Sequence, residues 1–213
     1  MLQKRFFPAA LLLMLASCAP QLEPVREILP FHLTVPRRTE VEAAAEDVPD
    51  TSAEPLPDAE PAPVEVARFV TGIHDWSRGR LKNIRLACAR VEGHVIGAGE
   101  TFSFNEVVGP RTAALGYQEA IVFRGQEKVM EIGGGICQLS TNLYNAALQA
   151  GLPILERHVH SQPVDYVPEG EDATVYYGNL DLKFVNNGDL PLQLSTLLQD
   201  GELAVSITAL PLV

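Results

Sequence analysis

Cys137 follows Gly133-Gly134-Gly135-Ile136 directly and precedes Gln138-Leu139-Ser140-Thr141, at the head of a run with helical apolar spacing. A cysteine there meets unpaired amide N–H groups and the positive end of a helix dipole, and both favour thiolate over thiol. Gly134 and Gly135 let the backbone come close to a substrate and can aim N–H groups at a developing oxyanion. Downstream, Glu156-Arg157-His158-Val159-His160-Ser161 supplies two imidazoles, which on a strand share a face. His160 is the favoured general base, with His158 as the alternative. Asp172, or else Asp181, can orient that imidazole, so the chain order is nucleophile, base, orienting carboxylate.

The same residues allow other chemistry. Cys88 and Cys137 could pair as a disulfide in an oxidising compartment. Either thiol could be inert in a core. Cys137, His158 and His160 could be three zinc ligands with water as the fourth, although no paired-cysteine or carboxylate-rich motif reinforces a metal site. No Lys-Ser or Lys-Thr follows the glycines, so they are not a phosphate loop. No cofactor is expected.

The elements that must hold these residues read as α+β. Leu81, Ile84, Cys88 and Val91 recur at helical spacing, with Lys82, Arg85 and Arg90 off that face. Ile136, Leu139, Leu143, Ala147 and Ala150 trace a second helix, which Gly151 and Pro153 end. Residues 120–124 and 128–132 flank Gly125-Gln126 as a hairpin. Strands are predicted over 154–160, 174–177, 181–186, 190–198 and 203–210, the last three joined by Asn187-Gly188 and Asp200-Gly201 turns. The expected architecture is two main helices packed on an antiparallel sheet with a C-terminal β-meander.

The 213 residues suit one domain with appendages. At 46% apolar and 20% charged residues, wholesale disorder and collagen-like or disulfide-framework classes are excluded. A net charge of −11 repels nucleic acid and leaves no basic stripe for phosphates, so no nucleic-acid partner is expected. Lys4 and Arg5 precede an apolar run from Phe6 to Ala16, too short to cross a bilayer, which ends in Leu15-Ala16-Ser17-Cys18. Residues 1–17 therefore read as a lipoprotein signal peptide, with Cys18 as the lipid anchor that holds the protein extracytoplasmically on a bacterial membrane. Residues 18–66 read as a Pro/Ala/acidic disordered linker. Between residues 39 and 66 there are nine acidic side chains and no basic one, a composition that cannot offset chain entropy by burial. The folded domain is expected over 67–213.

Three long stretches, GETFSFNEVVGPRTAALGYQEA, GGGICQLSTNLYNAALQAGLPILERHVHS and YVPEGEDATVYYGNLDLKFVNN, resemble the VanW domain, a bacterial family named from glycopeptide-resistance gene clusters. The resemblance runs from about Arg80 to Pro191. It implies an envelope-directed protein whose partner is a peptidoglycan stem peptide or an envelope protein. Residues matching the family pattern include Phe102 to Asn105, Gly109 to Arg111, Gly133 to Gln138, Ser140-Thr141, His158, His160-Ser161, Asp172 to Thr174 and Asp181 to Phe184. Polar members of that set exceed what a core needs. Asn105, Arg111, Gln138, Ser140 and Asn145, with Gly134 and Gly135, are the expected substrate-binding residues, and Arg111 can clamp a carboxylate bidentately. Asn145 can equally cap carbonyls of its helix, and Arg111 can be a surface residue. Two functions remain: a thiol-dependent acyl-transfer or amide-cleaving enzyme acting on cell-wall peptide, and a non-catalytic module that binds or scaffolds through the same cleft.

Overall fold

The computed structural model of the protein describes residues 61–125 and 127–212. The expected signal peptide, the anchor Cys18 and the spacer up to residue 60 lie outside the described residues. The fold is α+β. A four-stranded antiparallel sheet has the order β1-β9-β8-β2, formed by Val64–Gly72, Glu202–Ala209, Leu192–Gln199 and Val95–Ile96. A three-stranded sheet has the order β3-β7-β6, formed by Thr101–Ser103, Lys183–Val185 and Ile154–Glu156. The hairpin β4 (Glu119–Arg124) and β5 (Glu127–Ile132) stands by itself.

Helix α1 (Arg78–Val91) follows the periodicity read from the sequence, but its buried stripe is Arg80, Asn83, Ile84, Ala87, Cys88 and Val91. Two polar residues thus sit in register with the apolar ones. The five-residue helix α2 (Phe104–Val108) begins at Ser103, whose hydroxyl accepts from the Glu106 amide. Helix α3 (Cys137–Gln149) ends before Gly151, whose positive φ of 70° closes the turn.

Helix α3 packs on β1 and β9 and is buried on nearly every side, not along a single apolar face. Gln138, Ser140, Thr141, Asn142 and Asn145 are all buried with it. Each therefore has to find a hydrogen-bond partner within the protein. Asn142 accepts from the Thr71 hydroxyl of β1 at 2.9 Å and donates to the Leu203 carbonyl of β9 at 2.6 Å, which bolts the helix to two strands. Ser140 and Thr141 both bond to Ala173, and Asn145 donates to the Glu171 carbonyl at 2.8 Å. The 171–174 segment is thereby laid along α3.

The structure revises several expected strands. The strand at 154–160 stops at Glu156, and 174–177 makes only single bridges, His158 with Thr174 and Tyr176 with Leu180. Irregular backbone serves here because side chains, not a ladder, hold the segment. The C-terminal meander narrows to the β8–β9 hairpin at Asp200-Gly201. Strand β7 leaves for the second sheet, where Phe184 stacks on Phe102 of β3 at 4.7 Å. Asn186 secures that departure by donating to the carbonyls of Ile96, Gly97 and Leu190. Strand β9, an interior strand that α3 packs against, is buried on both faces between Leu203 and Ile207. Strand β1 starts at Val64, inside the stretch whose composition reads as spacer, and its pairing with β9 supplies the order that composition does not.

The bolt at Asn142 is open to test. Asn142→Ala leaves the Thr71 hydroxyl and the Leu203 carbonyl buried without that partner, and should cost about 2 to 4 kcal/mol of stability in a urea titration.

Candidate functional site

The glycine turn is placed by α1. Asn83 donates to the carbonyls of Gln118 at 2.8 Å and Gly134 at 3.0 Å, and accepts from the Gln118 amide at 2.8 Å. Gly134 sits so close to β4 that a Cβ would lie 2.7 Å from the Ile121 carbonyl oxygen. Gly135 has a φ of +98°, and a Cβ there would lie 2.6 Å from the Arg80 side chain. The two glycines are thus required first by packing against backbone and Arg80. They also line a cleft of about 980 Å³, whose walls include the β4–β5 hairpin, Arg111, Cys137, His160, Tyr166 and the 174–177 segment.

Cys137, at the first position of α3, is half-buried, and its Sγ lies 3.5 Å from the Thr174 hydroxyl and 3.7 Å from the Val175 carbonyl. Burial raises the pKa of this thiol, but hydrogen bonding to His160, the charge of that imidazole, Thr174 and Val175 outweigh it and bring the value down to about 7. His160 moves oppositely: burial lowers its pKa, while Cys137 and Asp172 raise it above the ordinary imidazole value. The Asp172 carboxylate accepts from the His160 amide at 2.7 Å and lies 2.5 Å from its Nδ1. That contact leaves Nε2 as the nitrogen free to serve the thiol. Asp172 is in turn held by Arg157, which donates to the carbonyls of Asp172 at 2.7 Å and Gly170 at 2.6 Å and lies against Tyr144.

Of the residues singled out in the sequence, the structure pairs His160 with Asp172, sets Cys137 and His160 in the lining of one cleft, and leaves His158 apart. The His158 ring lies 3.0 Å from the Glu156 carboxylate, which also takes Lys183 at 2.8 Å. Because the backbone past Glu156 is not a regular strand, the two histidines do not share a face. A Cys137, His158, His160 zinc set is therefore not assembled, and no cluster of three such ligands occurs among the described residues. Asp181 is also apart: it accepts from the Ser103 hydroxyl and the amides of Asn105 and Leu182. Both described cysteines are free, so the Cys88–Cys137 disulfide is not formed. Cys88 is a core thiol whose pKa burial pushes up to about 12.

The expected substrate-binding polar residues divide. Gln138 lines the cleft, but its amide donates to Thr71 and Gly72 and accepts from Arg80 at 2.6 Å, so it is spent on structure. Ser140 is fully buried on Ala173, and Asn145 caps carbonyls. Asn105 holds Arg111, accepting from its Nη1 at 2.6 Å while donating to the Leu180 carbonyl at 2.9 Å. Arg111 lines the cleft. Arg80, Asn83, Arg157, Tyr166 and Thr174 were not singled out for chemistry in the sequence. The first two carry a readable signal, since residues 80, 83, 84 and 87 follow helical spacing and two of the four are polar. Tyr166 has a phenol pKa raised by burial and then by the charge of Cys137.

Alkylation of Cys137 by a small electrophile should rise with pH through a midpoint near 7, because the thiolate reacts and its fraction grows as pH climbs past that value. His160→Ala should move the midpoint up to about 8.5 or higher, since burial then acts without its counterweight. Asp172→Asn should move it in the same direction by less.

A family model described as VanW like protein matches residues 79–208. The Bacillus subtilis (strain 168) protein named "Uncharacterized protein YoaR" is 38% identical over 143 residues, covering 67% of this chain and 47% of that protein. The Enterococcus faecalis (strain ATCC 700802 / V583) protein named "Vancomycin B-type resistance protein VanW" is 29% identical over 139 residues, covering 63% and 50%. The chain spans about half the length of these curated relatives. No solved structure gives a significant match. With the match running from the second residue of α1 almost to the end of β9, the chain belongs to the VanW-like family.

Proposed function

We propose that this VanW-like domain is a thiol-dependent acyl-transfer or amide-cleaving enzyme acting on the peptide part of peptidoglycan. The observation that carries this reading is that Cys137 and His160 line one cleft, with the Asp172 carboxylate on the His160 ring. The Cys137 thiolate attacks an amide carbonyl to give a tetrahedral oxyanion. Gly134, Gly135 and Ile136 line the cleft beside Cys137, and no hydrogen bond within the described residues takes up their amide N–H groups, which makes them the oxyanion donors of this reading. The C–N bond then breaks, His160 gives its proton to the leaving amine, and a thioester remains on Cys137. Water or a second amine attacks the thioester, with neutral His160 taking its proton, and the thiolate is released. Asp172 keeps the imidazole in the tautomer and orientation that both steps need.

The envelope setting rests on other support. The lipoprotein-like start with Cys18 favours a membrane-anchored, extracytoplasmic protein, and one relative carries vancomycin resistance in its name. The acidic spacer would hold the domain away from the membrane surface.

Incubation with peptidoglycan-derived stem peptides, followed by intact-mass measurement, tests the chemistry. An acyl adduct on Cys137 is expected. Cys137→Ala should abolish it, and His160→Ala should slow turnover by about 10² to 10⁴-fold. Turnover should rise through pH 7 as the thiolate forms and fall at higher pH as His160 loses the proton it must donate. If Cys137→Ala is as active as the parent, or if no adduct or turnover occurs, the domain is a binding module instead.

A further inference from the structure

Arg111 is a half-buried cation with half of its fork unused. Its Nη1 donates to Asn105, but its Nη2 is buried without a hydrogen-bond partner, the only such side-chain nitrogen or oxygen among the described residues. Among those residues no carboxylate oxygen lies within 4 Å of it, and Asp181, whose charge does reach it, is committed to Ser103, Asn105 and Leu182. The guanidinium is held between the Phe104 ring at 5.2 Å and the Tyr177 ring at 5.7 Å, so its orientation is set in advance. Phe104 is wholly buried, whereas Tyr177 is half exposed and lines the cleft. Leaving a buried guanidinium N–H unpaired is expensive, and an anion that enters the cleft would remove that cost.

We propose that Arg111 is the specificity residue for a free carboxylate on the substrate, so that the enzyme acts at the carboxyl end of a peptide and not in its interior. This rests on the acyl-transfer reading of the same cleft. The carboxylate accepts from Nη2 beside the half-exposed Tyr177 ring and belongs to the residue on the amine side of the bond that is cut. Arg111 lies against Gly133 in the turn that leads to Cys137, and its charge and that of the thiolate act on each other. Arg111 and Cys137 line the same cleft, so a carboxylate held on Arg111 and the carbonyl attacked belong to one bound substrate. The leaving amine, after taking its proton from His160, departs with that carboxylate.

The test uses the full chain carrying Cys137→Ala, which keeps Arg111 intact and cannot turn over. Binding of N-acetyl-dialanine, in each stereochemistry, is measured by calorimetry and by arginine side-chain NMR for the free acid and for the C-terminal amide. The acid of at least one stereoisomer should bind about 10- to 100-fold tighter than its amide, with the Arg111 resonances shifting. Arg111→Lys, whose point charge lacks the fork, should reduce that preference severalfold. Equal binding of acid and amide, or no binding of any of the four, overturns the inference. A clear acid preference in a protein that forms no thioester would keep the carboxylate site and discard the enzyme, whereas equal turnover of acid and amide would do the reverse.

Discussion

A helix enclosed on nearly every side has to satisfy its own polar side chains inside the protein, and α3 carries five of them. That requirement organises the domain. Gln138 and Asn142 reach β1 and β9, while Ser140, Thr141 and Asn145 reach the 171–174 segment. The first residue of the same helix is Cys137, and the segment it draws in carries Asp172 and Thr174. Hydrogen bonding that an apolar helix would not need therefore brings together the thiol, the carboxylate and, through the carboxylate, His160.

The electrostatics follow from that placement. An unassisted half-buried thiol would resist ionisation, and Cys88, buried with no such neighbour, does so. Cys137 differs in that the His160 imidazole lowers its pKa while Asp172 and the thiol raise that of His160, so each group favours the charged form of the other. Arg111 has no equivalent balance. It is oriented by a neutral amide and two aromatic faces, which fix its geometry without neutralising it. A net negative chain thus places a guanidinium with an unpartnered nitrogen at its cleft.

Much of the frame was legible in the residues. Both main helices, the β4–β5 hairpin and the terminal β8–β9 hairpin follow from periodicity, glycine stops and turn pairs, because those signals act over a few residues of chain. Less legible were β1, whose order comes from pairing with β9 across most of the chain, and the short β2 and β3, held by long-range partners. Residues 158–160 and 174–177 read as strand because their types suit one, yet side-chain clamps from α3 and Arg157 define the irregular run between and around them instead.

By itself, the sequence determined the family, the α+β class, and the proximity of Cys137 to three glycines at a helix start. These are properties of neighbouring residues, and local backbone preferences suffice for them. Only the tertiary structure set the His160 ring on Asp172 while tying His158 to Glu156 and Asp181 to Ser103, turned Asn105 from a ligand candidate into a support for Arg111, and withdrew Gln138 and Ser140 into structural bonds. A side chain's chemical type names every bond it can make, but which one it makes depends on groups distant in sequence and on whether water still competes for them.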